Sequence, residues 1–381
     1  MTDKQVASRT SNTELTYFAQ FIGASQTDAT LLKPTELPGL IKLPERLDEF
    51  VEKLDHHGLT ALALSQKRLP AAIEEQLKPR TALSVANETL KSNALVELFE
   101  SFASAGLTHT ILFKGSALAH SIYPKPWLRP RSDNDLLIDI EAYSEYEKIF
   151  ARLGYQKIFS IEGQYVSYQN TFSKKLSGHS HINIDLHWRI SNRQILANSY
   201  SVAELMRSGN KLDRLSSLIS IPSAVDSLII ASLHRLGHHH HEERLIWLYD
   251  IHLLATQLSP KNWTTLIERC NKKALSGVTL DALSYCQKLF NTDIEPKVLQ
   301  ALKRSADQPE PSQIFLQREL AQWQYFLHDI KSLDSWRSRL RLIIENVFPS
   351  PDYIRIQMGT KSACIGYFKR FDRGLRRLLN I

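Results

Sequence analysis

Three aspartates and a Gly-Ser pair ahead of them are the residues whose types and spacing could do chemistry. Asp133 and Asp135 are one residue apart and open an apolar run, Leu136-Leu-Ile138. Residues two apart on a strand share a face, so the two carboxylates stand side by side. They repel each other unless a cation sits between them. Mg²⁺ meets that need, because it is a hard ion that takes oxygen ligands and bridges to substrate phosphates. Asp185 lies in Asn183-Ile-Asp-Leu-His-Trp188, where Ile184, Leu186 and Trp188 alternate with Asn183, Asp185 and His187. An acid in mid-strand costs desolvation unless it is paired or bound to metal. Gly115-Ser116 closes another short apolar run. A glycine there lets the backbone approach a ligand, and the N–H groups of a following helix suit phosphate oxygens. Taken singly, each feature has a plainer reading, a turn or an exposed strand end.

These residues need elements to hold them. Thr108–Phe113 reads as a buried strand and Ser116–Tyr123 as a helix; Pro124, Pro126 and Pro130 then force a loop. Asp133–Ile140 is a strand and Ala142–Leu153 a helix that stops at Gly154. Strands are expected near Gln156–Ile161, Gln164–Phe172 and His181–Ile190. This order implies an α+β fold with an α/β core and a mixed sheet. Residues 1–11 read as a disordered tail, 12–105 as an N-terminal helical region, 106–194 as the catalytic domain, and 195–381 as a C-terminal helical region with a basic end. In the N-terminal region, Pro70–Leu77 and Thr81–Ala105 read as separate helical segments.

Composition bounds the function classes. The chain has 381 residues, 43% of them apolar, and no run approaches the roughly 20 apolar residues that span a bilayer. A cytoplasmic protein with no membrane partner is expected. Cys270, Cys286 and Cys364 are widely spaced and odd in number, which suits reduced thiols better than disulfides or zinc. The net charge is +7, and Lys331–Ile381 alone holds 11 Lys/Arg against 4 Asp/Glu. A basic end fits contact with a polyanion, although basic helix ends are also common solvated surfaces. His238–His241, one turn after His234, invites a metal reading, but Glu242-Glu-Arg244 follows and a solvated helix end suits it better.

The Gly-Ser turn, the Asp-x-Asp pair and the later aspartate resemble the polymerase-beta-type nucleotidyltransferases. The resemblance is to one branch, the uncharacterised nucleotidyltransferase family. It rests on Leu112-Phe-Lys-Gly-Ser-Ala-Leu-Ala119, Arg129-Pro-Arg131, Asp133-Asn-Asp-Leu-Leu-Ile138, Ile184-Asp-Leu-His-Trp188 and Leu245-Ile-Trp-Leu-Tyr-Asp250. Asn134 departs from it, since an apolar residue is more usual there. The resemblance implies an NTP donor, ATP among the candidates, and two Mg²⁺ ions, with Mn²⁺ an alternative. Asp133, Asp135 and Asp185 would be the catalytic metal ligands. Lys114, Gly115 and Ser116 would bind phosphates, and Arg129 or Arg131 would neutralise the leaving pyrophosphate. His187, His234 and Asp250 would stand on the acceptor side. The acceptor stays open among a small molecule, a peptide or protein and an RNA end. The competing readings are a catalytically silent scaffold and an RNA-binding or interaction protein.

Overall fold

A computed structural model describes residues 44–379 apart from Arg68, 160–162, His179, 238–242 and 318–319, together with Phe18, Ala19 and Ile22. The expected tail over 1–11 and the run His238–His241 lie outside the described residues.

A seven-stranded mixed sheet organises the chain, in the order β3-β4-β5-β2-β1-β7-β6. Its strands are β1 (Thr110–Phe113), β2 (Asn134–Ile138), β3 (Gln156–Phe159), β4 (Gln169–Lys175), β5 (His181–His187), β6 (Asn210–Leu212) and β7 (Ser216–Ile221). Helices α1 (Pro44–His56), α2 (Thr60–Ser65) and α3 (Ala71–Ser104) precede the sheet. Within it lie α4 (Lys114–Ser121), α5 (Tyr143–Arg152), α6 (Gln194–Ala197) and α7 (Val202–Ser208). After it come α8 (Ala224–Gly237), α9 (Leu245–Thr256), α10 (Pro260–Lys273), α11 (Ser276–Phe290), α12 (Pro296–Ala306) and α13 (Gln322–Lys331), then α14 (Trp336–Val347), α15 (Pro351–Met358) and α16 (Ala363–Leu379).

Strand alternation sorts the core into two layers. Leu112, Leu136, Ile138, Ile184 and Leu186 pack with Leu98, Phe102 and Phe150 of α3 and α5. Ile111, Phe113 and Leu137 point the other way, into a larger core with α8 and α9. Asp133, Asp135, Asp185 and His187 share the parity of Leu137, so they belong to the face that looks toward α8 and α9.

Three expectations are corrected. Helices do not hold everything beyond about Ile195: β7 pairs in parallel with β1, and β6 extends the edge. The three-residue β6 and the Ser-rich β7 carry little strand signal. Pro79 does not end a helix, because α3 runs unbroken for 34 residues. Its first half is anchored by Ile73 and Leu77 in one core and its second by Leu95–Phe102 in the other. That burial offsets the roughly 3 kcal/mol that an interior proline costs. The strand placed at Gln164–Phe172 forms at Gln169–Lys175 instead. The backbone N–H groups of Gln164 and Tyr165 donate to the Glu345 carboxylate at 2.9 and 2.8 Å, which takes them out of any ladder.

Candidate active site

The register of three strands assembles the site. Phe113 on β1 lies opposite Asp135 on β2, and Asp135 lies opposite Asp185 on β5. Lys114 follows Phe113 directly, in a left-handed conformation with φ of 53°. A non-glycine residue there costs on the order of 1 kcal/mol. It turns the chain from β1 into α4 and sends its side chain back over the sheet. Lys114 Nζ donates to Asp135 Oδ1 at 2.7 Å. His187 Nε2 meets the same oxygen at 2.8 Å from behind.

Burial and neighbours set the charges. Asp135 is fully buried, and burial alone would raise its pKa. Lys114 and His187 outweigh that and hold it well below the usual carboxylate range. Burial lowers His187 to about 4, helped by the Lys114 charge, so its imidazole is neutral and Nε2–H is the donor toward Asp135. Asp185 is pushed up to about 6 by burial and then by the charges of Asp135 and Asp133. Gln169 Nε2 and Thr171 Oγ1 donate to its two oxygens at 2.7 and 2.6 Å. Asp133, just before β2, is raised by burial and by Asp135.

Three carboxylates therefore share one ammonium and a neutral imidazole. One ligand atom each from Asp135, Asp185 and His187 lies within 4.8 Å of the others. Asp133, Asp135 and Asp185 all line a cleft of about 580 Å³, together with Lys114, Gly115 and His234. The donor set fits a hard divalent cation: carboxylate oxygens converge, net charge is left over, and the Lys114 ammonium stands in part of the place such an ion would take.

Residues 44–291 match the family described as uncharacterised nucleotidyltransferases. The chain belongs to that family. No curated protein matches it. This membership supports a general NTP-transfer function and a nucleotide substrate. It also agrees with the mixed sheet and flanking helices.

The remaining sequence-derived residues fall into two groups. Gly115 and Ser116 sit where the turn requires them. A Cβ on Gly115 would come within 2.5 Å of Arg129 Nη1, so only glycine fits against that guanidinium. Ser116 is fully buried, and its Oγ donates to Asn134 Oδ1 at 2.9 Å. Asn134 also accepts from Arg131 Nε at 3.1 Å and donates to the Asn183 carbonyl at 3.0 Å. The residue that departs from the family pattern thus ties the turn, the loop and β5 together.

Arg129 and Arg131 are closed by carboxylates. Arg129 donates to Asp250 from Nη2 at 2.7 Å and from Nε at 3.2 Å, and Tyr123 Oη donates to the same acid at 2.7 Å. Arg131 forms a two-pronged pair with Glu88, at 2.6 and 2.8 Å. Burial pushes Glu88 up, but His120 and Arg131 bring it down to about 2. His187 is buried behind Asp135, and Asp250 is buried against Arg129, where it lines a smaller pocket with Lys114, Gly115 and His234. His234 does line the cleft, next to the Trp247 ring. The sequence reading missed Glu88, Gln169, Thr171 and Arg244. The last reaches the cleft from the residue before α9.

Proposed function

We propose that the chain transfers a nucleoside monophosphate from an NTP to a hydroxyl of an acceptor, with pyrophosphate leaving, in the cytoplasm where NTPs are supplied. The observation that carries this reading is the junction of β1, β2 and β5, where three carboxylates converge and only Asp135 has an ammonium directly bonded to it. Asp133, Asp135 and Asp185 would hold Mg²⁺, with Mn²⁺ a substitute. Bound ions would lower the acceptor hydroxyl's pKa and offset charge on the attacking and leaving oxygens.

The chain's own residues supply the rest. Asp185, gripped by Gln169 and Thr171, has one fixed orientation, which suits it to take the acceptor's proton. His187 orients Asp135 through its Nε2–H. Lys114 is the mobile cation. It balances Asp135 in the free protein and would be released toward the triphosphate if a metal ion were held by that carboxylate. The α4 start offers N–H groups to phosphate oxygens. Arg129 and Arg131 act mainly by position: they fix Gly115 and Asn134, and Arg129 lends positive potential to the cleft wall. A cleft of about 580 Å³ is of the size that takes a nucleotide. The working unit extends past residue 194, because β7 supports β1.

The test is transfer of label from each α-³²P-labelled NTP in the presence of Mg²⁺ to fractions of a whole-cell extract. We expect one fraction to become labelled by the wild type and not by Asp185→Asn. No label above that control with any of the four NTPs, and no Mg²⁺-dependent NTP binding by calorimetry, would remove the enzyme reading.

A further inference from the structure

Outside the cleft lining, helices α14 and α16 turn their apolar residues outward. On α14, Trp336, Leu340, Ile343, Ile344 and Val347 recur at three- and four-residue steps, and all are exposed. They form one stripe. The helix is anchored by other positions. Leu342 is buried, Ser338 accepts from Tyr165 Oη at 2.9 Å, and Glu345 accepts the backbone N–H groups of Gln164 and Tyr165. A carboxylate holds the inner side while the stripe faces water, the reverse of an ordinary surface helix.

On α16, Ile365, Phe368 and Phe371 are likewise exposed, the two phenylalanines at 73% and 70%. Its other side packs: Gly366 is buried against Ile354, and Tyr367 Oη donates to the Pro349 carbonyl. Arg370 Nη2 donates to the Asn346 carbonyl at 2.9 Å, which joins α16 to the end of α14. Among the apolar residues stand exposed Arg337, Arg339, Arg341, Lys369 and Arg373. Scattered exposed apolar residues need no cause, but neighbouring stripes on joined helices do.

Charge decides among occupants. A second copy would set two strongly basic faces against each other. RNA offers phosphates and base faces, but nothing to cover the aliphatic Leu340, Ile343, Ile344, Val347 and Ile365. An anionic lipid surface offers both headgroup charge and an apolar boundary. We propose that α14 and α16 lay this face on an anionic phospholipid bilayer, at its surface and without crossing it. This revises the expectation of no membrane partner. Among the described residues no helix is long and apolar enough to cross a membrane, and the contact needs none.

The full chain should sediment with phosphatidylcholine vesicles carrying about 30% phosphatidylserine and bind them at least about tenfold more tightly than pure phosphatidylcholine. Lys369→Gln with Arg373→Gln should weaken binding roughly thirtyfold, at about 1 kcal/mol per basic residue. Phe368→Ser with Phe371→Ser should abolish sedimentation while leaving the thermal midpoint unchanged. The proposal fails if the wild type does not sediment with the anionic vesicles, or if the double phenylalanine variant still does. It also fails if light scattering shows a dimer that this variant dissolves, which would give the face to a second copy. RNA binding lost in the same variant, without vesicle binding, would give it to RNA.

Discussion

Two groups of buried or half-buried carboxylates belong to the same cleft region, and they are satisfied in opposite ways. Glu88 and Asp250 each face an arginine through paired hydrogen bonds, and His120 or Tyr123 adds a further contact. Charge is matched there and the groups are closed. Among the described residues, Asp135 alone of Asp133, Asp135 and Asp185 is paired with an ammonium, that of Lys114, and His187 is held neutral. The difference teaches that buried acids do not by themselves mark a metal site. What marks one is carboxylate charge that the surrounding protein declines to balance.

The comparison breaks most visibly at Asp185. Asp185→Asn should lower turnover by on the order of a thousandfold or more, while calorimetry still finds triphosphate binding. Full activity in that variant would make the open group as inert as the closed ones.

Glu88→Ala tests the closed group. It leaves Arg131 buried without its partner, so it should destabilise the fold by about 3–5 kcal/mol in urea unfolding. The Mg²⁺-induced rise in thermal midpoint should persist, because the open group is untouched.

Lys114→Met sharpens the contrast from the other side. Without its ammonium the open group is wholly unbalanced, and the metal-free protein should lose about 1–3 kcal/mol. Millimolar Mg²⁺ should restore more stability to this variant than to the wild type, since no lysine has to be displaced. An equal Mg²⁺ response in both would refute the exchange.

The pH dependence follows from Asp185. Its folded-state pKa of about 6 lies above the unfolded value near 4. The stabilising contribution is therefore full below about pH 4 and is lost as pH rises through 6. The metal-free chain should lose roughly 1–3 kcal/mol from this group by pH 7.5, and Asp185→Asn should flatten that slope. Metal binding needs the ionised acid, so the Mg²⁺ response should grow over the same window. The smallest effect is expected for Asp139→Ala, beyond the far end of β2. It should stay within about 0.5 kcal/mol and leave Mg²⁺-dependent NTP binding unchanged.

The open group could be read from sequence because its grammar is local. Alternation along two short strands puts Asp133, Asp135 and Asp185 on one face, and the structure keeps that parity. The closed group could not. Glu88 meets Arg131 across 43 residues and Asp250 meets Arg129 across 121, and nothing in a helix such as α3 or α9 announces a distant partner. The sequence therefore shows the two arginines beside the Asp-x-Asp pair but not the carboxylate that each of them meets. The same locality explains the fold-level errors. Pro79 breaks a helix by propensity, but burial at both ends of α3 overrides it. β6 is three residues long and β7 is Ser-rich, and only the pairing of β7 with β1 and of β6 with β7 makes them strands.

The clamp between Arg129 and Asp250 has a consequence in time. A ribosome releases the chain from its N-terminus, so all three aspartates emerge while α9 is still unmade. At that stage Arg129 lacks the Asp250 carboxylate that clamps it in the folded protein, and the wall of the cleft that this clamp fixes is unfinished. The site therefore matures only after some 65 further residues beyond Asp185 have been synthesised, when Asp250 arrives to lock the guanidinium. A nascent chain stalled between those two points would carry every metal ligand and still lack a finished nucleotide cleft.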